Sequence, residues 1–312
     1  MRILPAVVVA AASVILAGCS VTEQSASSAD LSDRAVRVTT TTNFITDTVR
    51  EIGGERVQVT GLMGAGVDPH LYKASAGDVA KLREADLIIY GGLNLEGKMG
   101  DLLVELEERQ TTVAITKDLP RTRLLAPPAG TAFDFDPHVW FDVALWKLAA
   151  RTTAAALKAK DPAHGSVYDA NLERYLAQLD ETDAYVRRRI NSIPRARRVL
   201  VTSHDAFGYF GRRYDVDVVA IQGISTATEA TTASVQRVAK VIAERGVKAA
   251  FIESSVPRQT IDAVLAAARR RGAKVRIGGE LFSDAGGDAG TVEGTYVGMV
   301  RANADTIANG LR

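Results

Sequence analysis

The hydrophobic positions of the chain alternate between short strand-like runs and longer helical stretches. In the first half, β-branched or aliphatic runs occur at residues 36–41, 57–60, 87–90 and 112–115, separated by amphipathic segments. The run at 87–90 is apolar throughout its first three positions and ends in tyrosine, which is typical of a strand that is buried on both faces. Strands alternating with helices in this way predict a parallel sheet covered by helices.

The second half of the chain repeats this alternation after a long helical segment. From residue 166 to 193, apolar residues recur mostly at spacings of three, four and seven, between Pro162 and Pro194. A helix of roughly 28 residues spans about 42 Å, which is more than one domain of this size needs. The later strand-like runs lie at 199–202, 216–221, 248–252 and 274–277. We therefore predict an α/β fold in which two parallel-sheet lobes are joined by a single long rigid helix.

Local signals predict where several helices begin. Asn43 is predicted as the N-cap of the first helix, and Ser75 as the N-cap of the next short one. Ser255 and Pro257 are predicted as the N-cap and the first position of a helix that runs to residue 271. The glycine-rich stretch 278–294 is predicted to be a loop.

The N-terminal residues have the pattern of a secretory signal peptide that ends at a lipid-attachment site. A positive residue precedes an apolar run, and Leu-Ala-Gly then leads to Cys19, which resembles the bacterial lipobox. Cys19 is the only cysteine of the chain, so an intrachain disulfide is excluded. The predicted organisation is a signal peptide at 1–18, a lipid-anchored flexible tether at 19–34, an N-terminal lobe at 35–164, the linking helix at 165–193 and a C-terminal lobe at 194–312.

Composition limits the kinds of partner. A formal net charge of +1 over 312 residues does not favour a nucleic acid. No segment after the signal peptide is long and apolar enough to span a membrane. Together with the signal peptide and the lipobox, this predicts a chain that a lipid on Cys19 holds at the extracytoplasmic face of the cell membrane. The chain is expected to be a monomer.

Histidine is rare in this chain, and its positions suggest a metal site. Two of the four histidines, His70 and His138, lie in twin pentapeptides that read Asp-Pro-His-aliphatic-aromatic, and His204 comes almost directly after a predicted strand. In open α/β sheets, ligands bind beyond the carboxyl ends of the strands. Imidazole and carboxylate groups bind divalent transition metals. We therefore predict a metal site in the cleft between the lobes, with a late carboxylate as the fourth ligand.

The residues alone leave some assignments open. Asp284 has Glu280 and Asp288 as rivals for the carboxylate ligand. Asp68 and Asp136 are interpreted as capping turns or orienting an imidazole, although they are also possible ligands. A contact with a ligand is likewise expected for Asp205 and Glu280, whereas His164 is assigned no metal role.

Catalytic motifs are not found. The glycine-rich run 286–291 lacks the ending of a phosphate-binding P-loop, no His-Glu-x-x-His occurs, and His204 has no nucleophile-elbow context. Four protein ligands would leave little open coordination for a reacting water. The chain is therefore not expected to be an enzyme.

The chain resembles the metal-binding lipoproteins that serve ATP-binding-cassette importers of zinc and manganese, the zinc-uptake or TroA-type solute-binding proteins. The most specific matches lie at residues 68–70, 136–140, 203–210, 251–255 and 278–284. The resemblance implies that His70, His138, His204 and Asp284 ligate the metal, which selects Asp284 over its neighbours. It also implies two lobes joined by a long helix that limits hinge motion.

The function implied by the resemblance is capture of one Zn²⁺ or Mn²⁺ and its delivery to the permease of an ABC-type importer. Manganese-specific members typically have glutamate where this chain has His204, and strongly zinc-specific members often have a histidine-rich loop where residues 116–135 contain no histidine. Zinc is slightly favoured over manganese. Two alternative functions are a surface adhesin with a structural metal and a metallohydrolase, which would need an open coordination position.

Overall fold

The computed structural model describes residue 31, residues 33–128, residue 131 and residues 133–312. The predicted signal peptide, Cys19 and most of the predicted tether lie outside the described residues. The predicted boundaries of the lobes at 164 and 193 stay predictions. Among the residues described, no helix has the length and apolar character needed to cross a membrane.

The N-terminal half forms one parallel four-stranded sheet with the strand order β2-β1-β3-β4. Val38 in the central strand pairs with Val59 on one side and Leu87 on the other. Because β-branched and aliphatic residues occupy the inner strands, both faces of the sheet can be covered by helices. The elements of this half are β1 (Val36–Thr40), α1 (Asn43–Gly53), β2 (Val57–Gly61), α2 (Ala76–Glu84), β3 (Leu87–Tyr90), α3 (Gly100–Arg109), β4 (Thr112–Ala114) and α4 (Val143–Lys160).

The C-terminal half contains two parallel strand pairs, β5 with β6 and β7 with β8. Strands β5 and β7 also lie next to each other. The parallel α/β fold class predicted from the alternation is therefore confirmed. The elements are α5 (Gly165–Asn191), β5 (Val199–Thr202), α6 (Gly208–Tyr214), β6 (Asp217–Ala220), α7 (Thr232–Arg245), β7 (Ala249–Glu253), α8 (Gln259–Arg270), β8 (Arg276–Leu281) and α9 (Tyr296–Leu311).

The long helix predicted from the apolar spacing is present as α5, with 27 residues. Its buried face carries residues such as Tyr168, Tyr175 and Ile190, while charged residues cover the opposite face. This face packs against α1 and α4 from the first half and against α9 from the second. At the junction, the ring of Trp146 stacks on Tyr296 with a centroid distance of 5.0 Å. Helix α5 and this aromatic contact therefore tie the two halves together.

Two of the predicted helix starts are wrong. Thr42, not Asn43, is the N-cap of α1, and the Asn43 side chain instead binds the loop after β8. Helix α8 begins only at Gln259, and the Ser255 hydroxyl bonds to the hydroxyl of Ser283 at 2.8 Å. In both places a tertiary hydrogen bond uses the polar side chain that the local rule assigned to capping. The Ser75 cap is confirmed, because Ser75 and Asp78 form a reciprocal capping box.

The predicted glycine-rich loop begins later than expected, because β8 continues to Leu281. Gly278 allows this continuation, since a Cβ atom there would lie 2.6 Å from the ring of Phe251. The loop that carries Asp284 therefore leaves the end of a strand. Helix α6 was not predicted, since its seven residues are too few to show a clear period.

Candidate metal centre

The four side chains predicted as ligands all follow the carboxyl ends of strands. His70 lies in the loop after β2, and His138 precedes a short 3₁₀ turn after β4. His204 comes two residues after β5, and Asp284 comes three residues after β8. All four are buried. The strand-end rule therefore explains why residues up to 214 positions apart, 284 minus 70, can share one cleft.

The potential ligand atoms of these residues converge on one point. The Nε2 atoms of His70 and His138 are 3.3 Å apart, and Nε2 of His204 lies 3.2 Å from Oδ1 of Asp284. Nε2 of His138 is 3.5 Å from the same oxygen. One ligand atom from each of the four residues fits within 4.8 Å of all the others. Tetrahedral zinc with bonds of about 2.0–2.1 Å needs its ligand atoms roughly 3.3 Å apart, so the observed spacing fits an ion of this kind.

Asp136 orients the ring of His138. Its Oδ1 atom lies 2.7 Å from Nδ1 of the ring and accepts the backbone N–H of His138 at 2.9 Å. A proton on Nδ1 held by this carboxylate leaves the Nε2 lone pair for a metal. The predicted contact between Asp136 and an imidazole is present.

Glu253 has the same relation to His204. It is buried at the end of β7, and its Oε2 atom lies 2.5 Å from Nδ1 of His204. Its Oε1 atom accepts the backbone N–H groups of Ser203 at 2.6 Å and His204 at 3.0 Å. Sequence patterns alone do not predict a role for Glu253. The available signal was an apolar run that ends directly in an acidic residue, the same kind of strand-end position that His204 occupies.

His70 is held differently. Asp68 accepts the backbone N–H of His70 at 2.9 Å through Oδ1, and its Oδ2 atom accepts the hydroxyl of Thr226 at 2.5 Å. Nδ1 of the His70 ring has no hydrogen-bond partner among the described residues. Asp68 therefore fixes the backbone at His70 and connects it to the loop after β6, but it does not orient the ring.

The remaining candidates lie outside the group of four. Glu280 is exposed on β8. Asp205 is partly buried. Burial raises its pKa, whereas the positive charges of His138 and His204 act to lower it. His164 lies near the start of α5 with its Nδ1 atom 2.9 Å from Asp161.

The titration of the site depends on how burial competes with the carboxylates. Burial lowers the pKa of His70 to about 3, although Asp284 opposes this shift. Burial also acts to lower the pKa of His138, but Asp136 and Asp284 outweigh it and raise the pKa to about 9. The pKa of His204 is raised well above its ordinary value, because Asp284 and Glu253 outweigh burial.

The carboxylate shows the opposite shift. Burial acts to raise the pKa of Asp284, but His204 and His138 hold it well below its ordinary value. With these pKa values, the rings of His138 and His204 are protonated and Asp284 is ionised at neutral pH. A divalent cation can replace those protons and find a carboxylate already ionised.

The chain is similar to known metal-binding proteins. Residues 38–310 match the protein family described as ZnuA, zinc-uptake complex component A, periplasmic. The zinc-binding protein TroA of Treponema pallidum is 49% identical over 274 residues, which are 88% of each chain. The manganese-binding lipoprotein MntA of Bacillus subtilis is 44% identical over 297 residues, 95% of each chain. The solved structure of the periplasmic zinc-binding protein TroA from Treponema pallidum has a TM-score of 0.86 at 48% identity, covering 89% of this chain and 99% of that one.

Proposed function

This chain belongs to the ZnuA family of periplasmic zinc-uptake components, and we propose that it captures one Zn²⁺ or Mn²⁺ outside the cytoplasm for an ABC-type importer. The observation that carries the proposal is the buried group of three imidazoles and one carboxylate at ligand spacing. The two halves of the chain supply two of these residues each, so the ion would bind between them. The partner that receives the ion is the importer's membrane permease.

We further propose that the ligands are the Nε2 atoms of His70, His138 and His204 together with the carboxylate of Asp284. Three nitrogens and one oxygen suit zinc, and the general affinity order places zinc above manganese. One relative is named for zinc and the other for manganese, so the proposal includes both ions. The metal is the cargo of the protein.

The family is one of solute-binding transport proteins, and we infer that this chain has no catalytic activity. Four protein ligands complete a tetrahedral sphere, whereas catalytic zinc sites keep one position for water. The hypothesis of a metallohydrolase is therefore disfavoured. The hypothesis of a surface adhesin stays untested, and a chain with His70, His138 and Asp284 replaced would support it if adhesion persisted.

Members of this family act outside the cytoplasm, and we infer the same location for this chain. We propose that a lipid on Cys19 anchors the chain to the cell membrane, which fits the lipoprotein named among its relatives. We also propose that the chain is a monomer. Mass spectrometry of the membrane-extracted protein and its elution volume in size-exclusion chromatography would test the two proposals.

Elemental analysis tests the proposed function directly. The purified domain, stripped and then reloaded with excess metal, should retain about one divalent ion per chain after desalting. Loading with equal zinc and manganese, followed by anomalous scattering at both absorption edges, would identify the preferred ion. A reloaded, folded chain that retains no metal would exclude the proposal.

Metal binding at pH 7 should release protons. Since the raised pKa values of His138 and His204 keep both rings protonated at pH 7, the ion must displace those protons, while the ionised Asp284 releases none. We expect the release of about two protons per ion, and an affinity that increases as pH rises towards about 9. Isothermal titration calorimetry in buffers of different ionisation enthalpy measures this number. An observed enthalpy that is the same in all buffers would contradict it.

A further inference from the structure

Asn43 connects the N-terminal lobe to the loop that carries Asp284. It is the first residue of α1 and follows the carboxyl end of β1 closely. Its Nδ2 group donates to the carbonyl oxygens of Gly286 at 3.1 Å and Gly287 at 3.2 Å, and its Oδ1 atom accepts the N–H of Gly286 at 2.9 Å. Both glycines are buried and lie two and three residues after Asp284. One side chain therefore fixes this loop across 243 residues of sequence.

Other residues of the N-terminal half hold the same loop at both ends. The indole N–H of Trp140 donates to the carbonyl oxygen of Ser283 at 3.0 Å, on the other side of Asp284. Asp47, one turn after Asn43 on α1, accepts the backbone N–H of Tyr296 at 2.9 Å. From its own half, the backbone N–H of Asp284 makes a long hydrogen bond of 3.4 Å to the Ser255 hydroxyl, and its Oδ1 atom lies 3.2 Å from Nε2 of His204. The backbone on both sides of Asp284 is thus held by hydrogen bonds from the opposite lobe as well as from its own.

The amide of Asn43 has the donor and acceptor groups that the backbone of this loop requires. Thr42 already occupies the N-cap position of α1, so the Asn43 amide is available for a distant partner. An amide offers a donor to the two carbonyl oxygens and an acceptor to the N–H. Aspartate at this position would keep the acceptor but place a carboxylate oxygen against two carbonyl oxygens, which is unfavourable.

We infer that Asn43 is a positioning residue for metal retention, because it holds Asp284 in the closed site from the opposite lobe. This inference relies on the proposed metal-binding function. Asp284 differs from His138 and His204, whose rings are each oriented by a carboxylate outside the ligand set. Its orientation comes from the backbone of its loop, and Asn43 makes three of the hydrogen bonds that hold this backbone. Any movement that separates Asn43 from this loop must break these three hydrogen bonds.

The test compares metal release from Asn43→Ala and Asn43→Asp with release from the wild-type chain. Zinc dissociation into excess chelator is followed by stopped flow, and it should be roughly tenfold faster in both variants, as for the loss of other groups that orient ligands. Asn171→Ala is the matched control, since the Asn171 amide donates to the backbone carbonyl of Ile52 at 3.0 Å, away from the site. The control should release zinc at the wild-type rate.

Two further measurements separate positioning from general destabilisation. Amide hydrogen exchange of residues 284–296 in the metal-free protein should increase in Asn43→Ala and not in Asn171→Ala. The ligand-field spectrum of bound Co²⁺ should change in both Asn43 variants and not in Asn171→Ala. Wild-type release from both Asn43 variants, or equal changes in Asn171→Ala, would overturn the inference. Retention of no metal by any chain, including the wild type, would instead refute the proposed function.

Discussion

Replacing His204 by alanine should weaken zinc binding by more than about 100-fold. Removing only a group that orients a ligand already weakens binding by up to about 100-fold, and this variant removes a proposed ligand itself. The variant removes one of three imidazoles and leaves Asp284 without the ring nitrogen 3.2 Å from its Oδ1 atom. It also leaves the Glu253 carboxylate buried with only its two backbone partners. Competition against a fluorescent zinc chelator measures the affinity, and circular dichroism verifies that the variant is folded.

His164→Ala is the matched control for this experiment. His164 is the one histidine outside the site, and its ring lies beside Asp161 near the start of α5. Its removal changes no group near the four proposed ligands, so the affinity should equal that of the wild type. If the two alanine variants lost affinity equally, the proposed ligand set would be wrong.

The positions of His70 and His138 could be predicted because two independent patterns coincide on them, whereas His204 shows only one of the two, its place at a strand end. A rare residue type occurs in a repeated pentapeptide, and strand ends locate His70, His138 and His204 at one edge of the fold. The choice of Asp284 as the proposed carboxylate ligand needed the family resemblance, since Glu280 and Asp284 both follow the last apolar run and the sequence pattern does not separate them. Glu280 remains on the exposed part of β8, while Asp284 turns into the cleft.

The errors share one physical cause, which is that local rules do not include distant partners. Asn43 and Ser255 both satisfy the N-cap rule, yet neither caps a helix. The Asn43 side chain accepts the N–H of Gly286, and the Ser255 hydroxyl accepts the N–H of Asp284. Glu253 was missed for the same reason, because its importance depends on β5 lying next to β7. Residues that orient ligands across a fold are the part of a site that sequence patterns reveal least.

The twin pentapeptides also show that a local sequence pattern does not determine tertiary contacts. Identical Asp-Pro-His sequences produce identical backbone hydrogen bonds of 2.9 Å from the histidine N–H to the aspartate. The rings then differ, since Asp136 also binds the ring of His138 while Asp68 binds Thr226. The local motif determines the turn, and the tertiary surroundings determine the charge and orientation of each histidine ring.

Glu253→Gln should weaken zinc binding by about 10- to 100-fold, although it changes no proposed ligand. Glu253 accepts three N–H groups, two from the backbone and one from the His204 ring. Glutamine must present its NH₂ group to at least one of these donors, and the repulsion is relieved if His204 moves its ring proton to Nε2, the atom needed for the metal.

Because the Glu253 charge also helps raise the pKa of His204, its loss lowers that pKa, and the number of protons released on binding at pH 7 should fall. Calorimetry in two buffers measures both quantities, with Glu280→Gln on the exposed part of β8 as the control. Wild-type affinity and proton release in Glu253→Gln would show that this carboxylate does not control the His204 ligand.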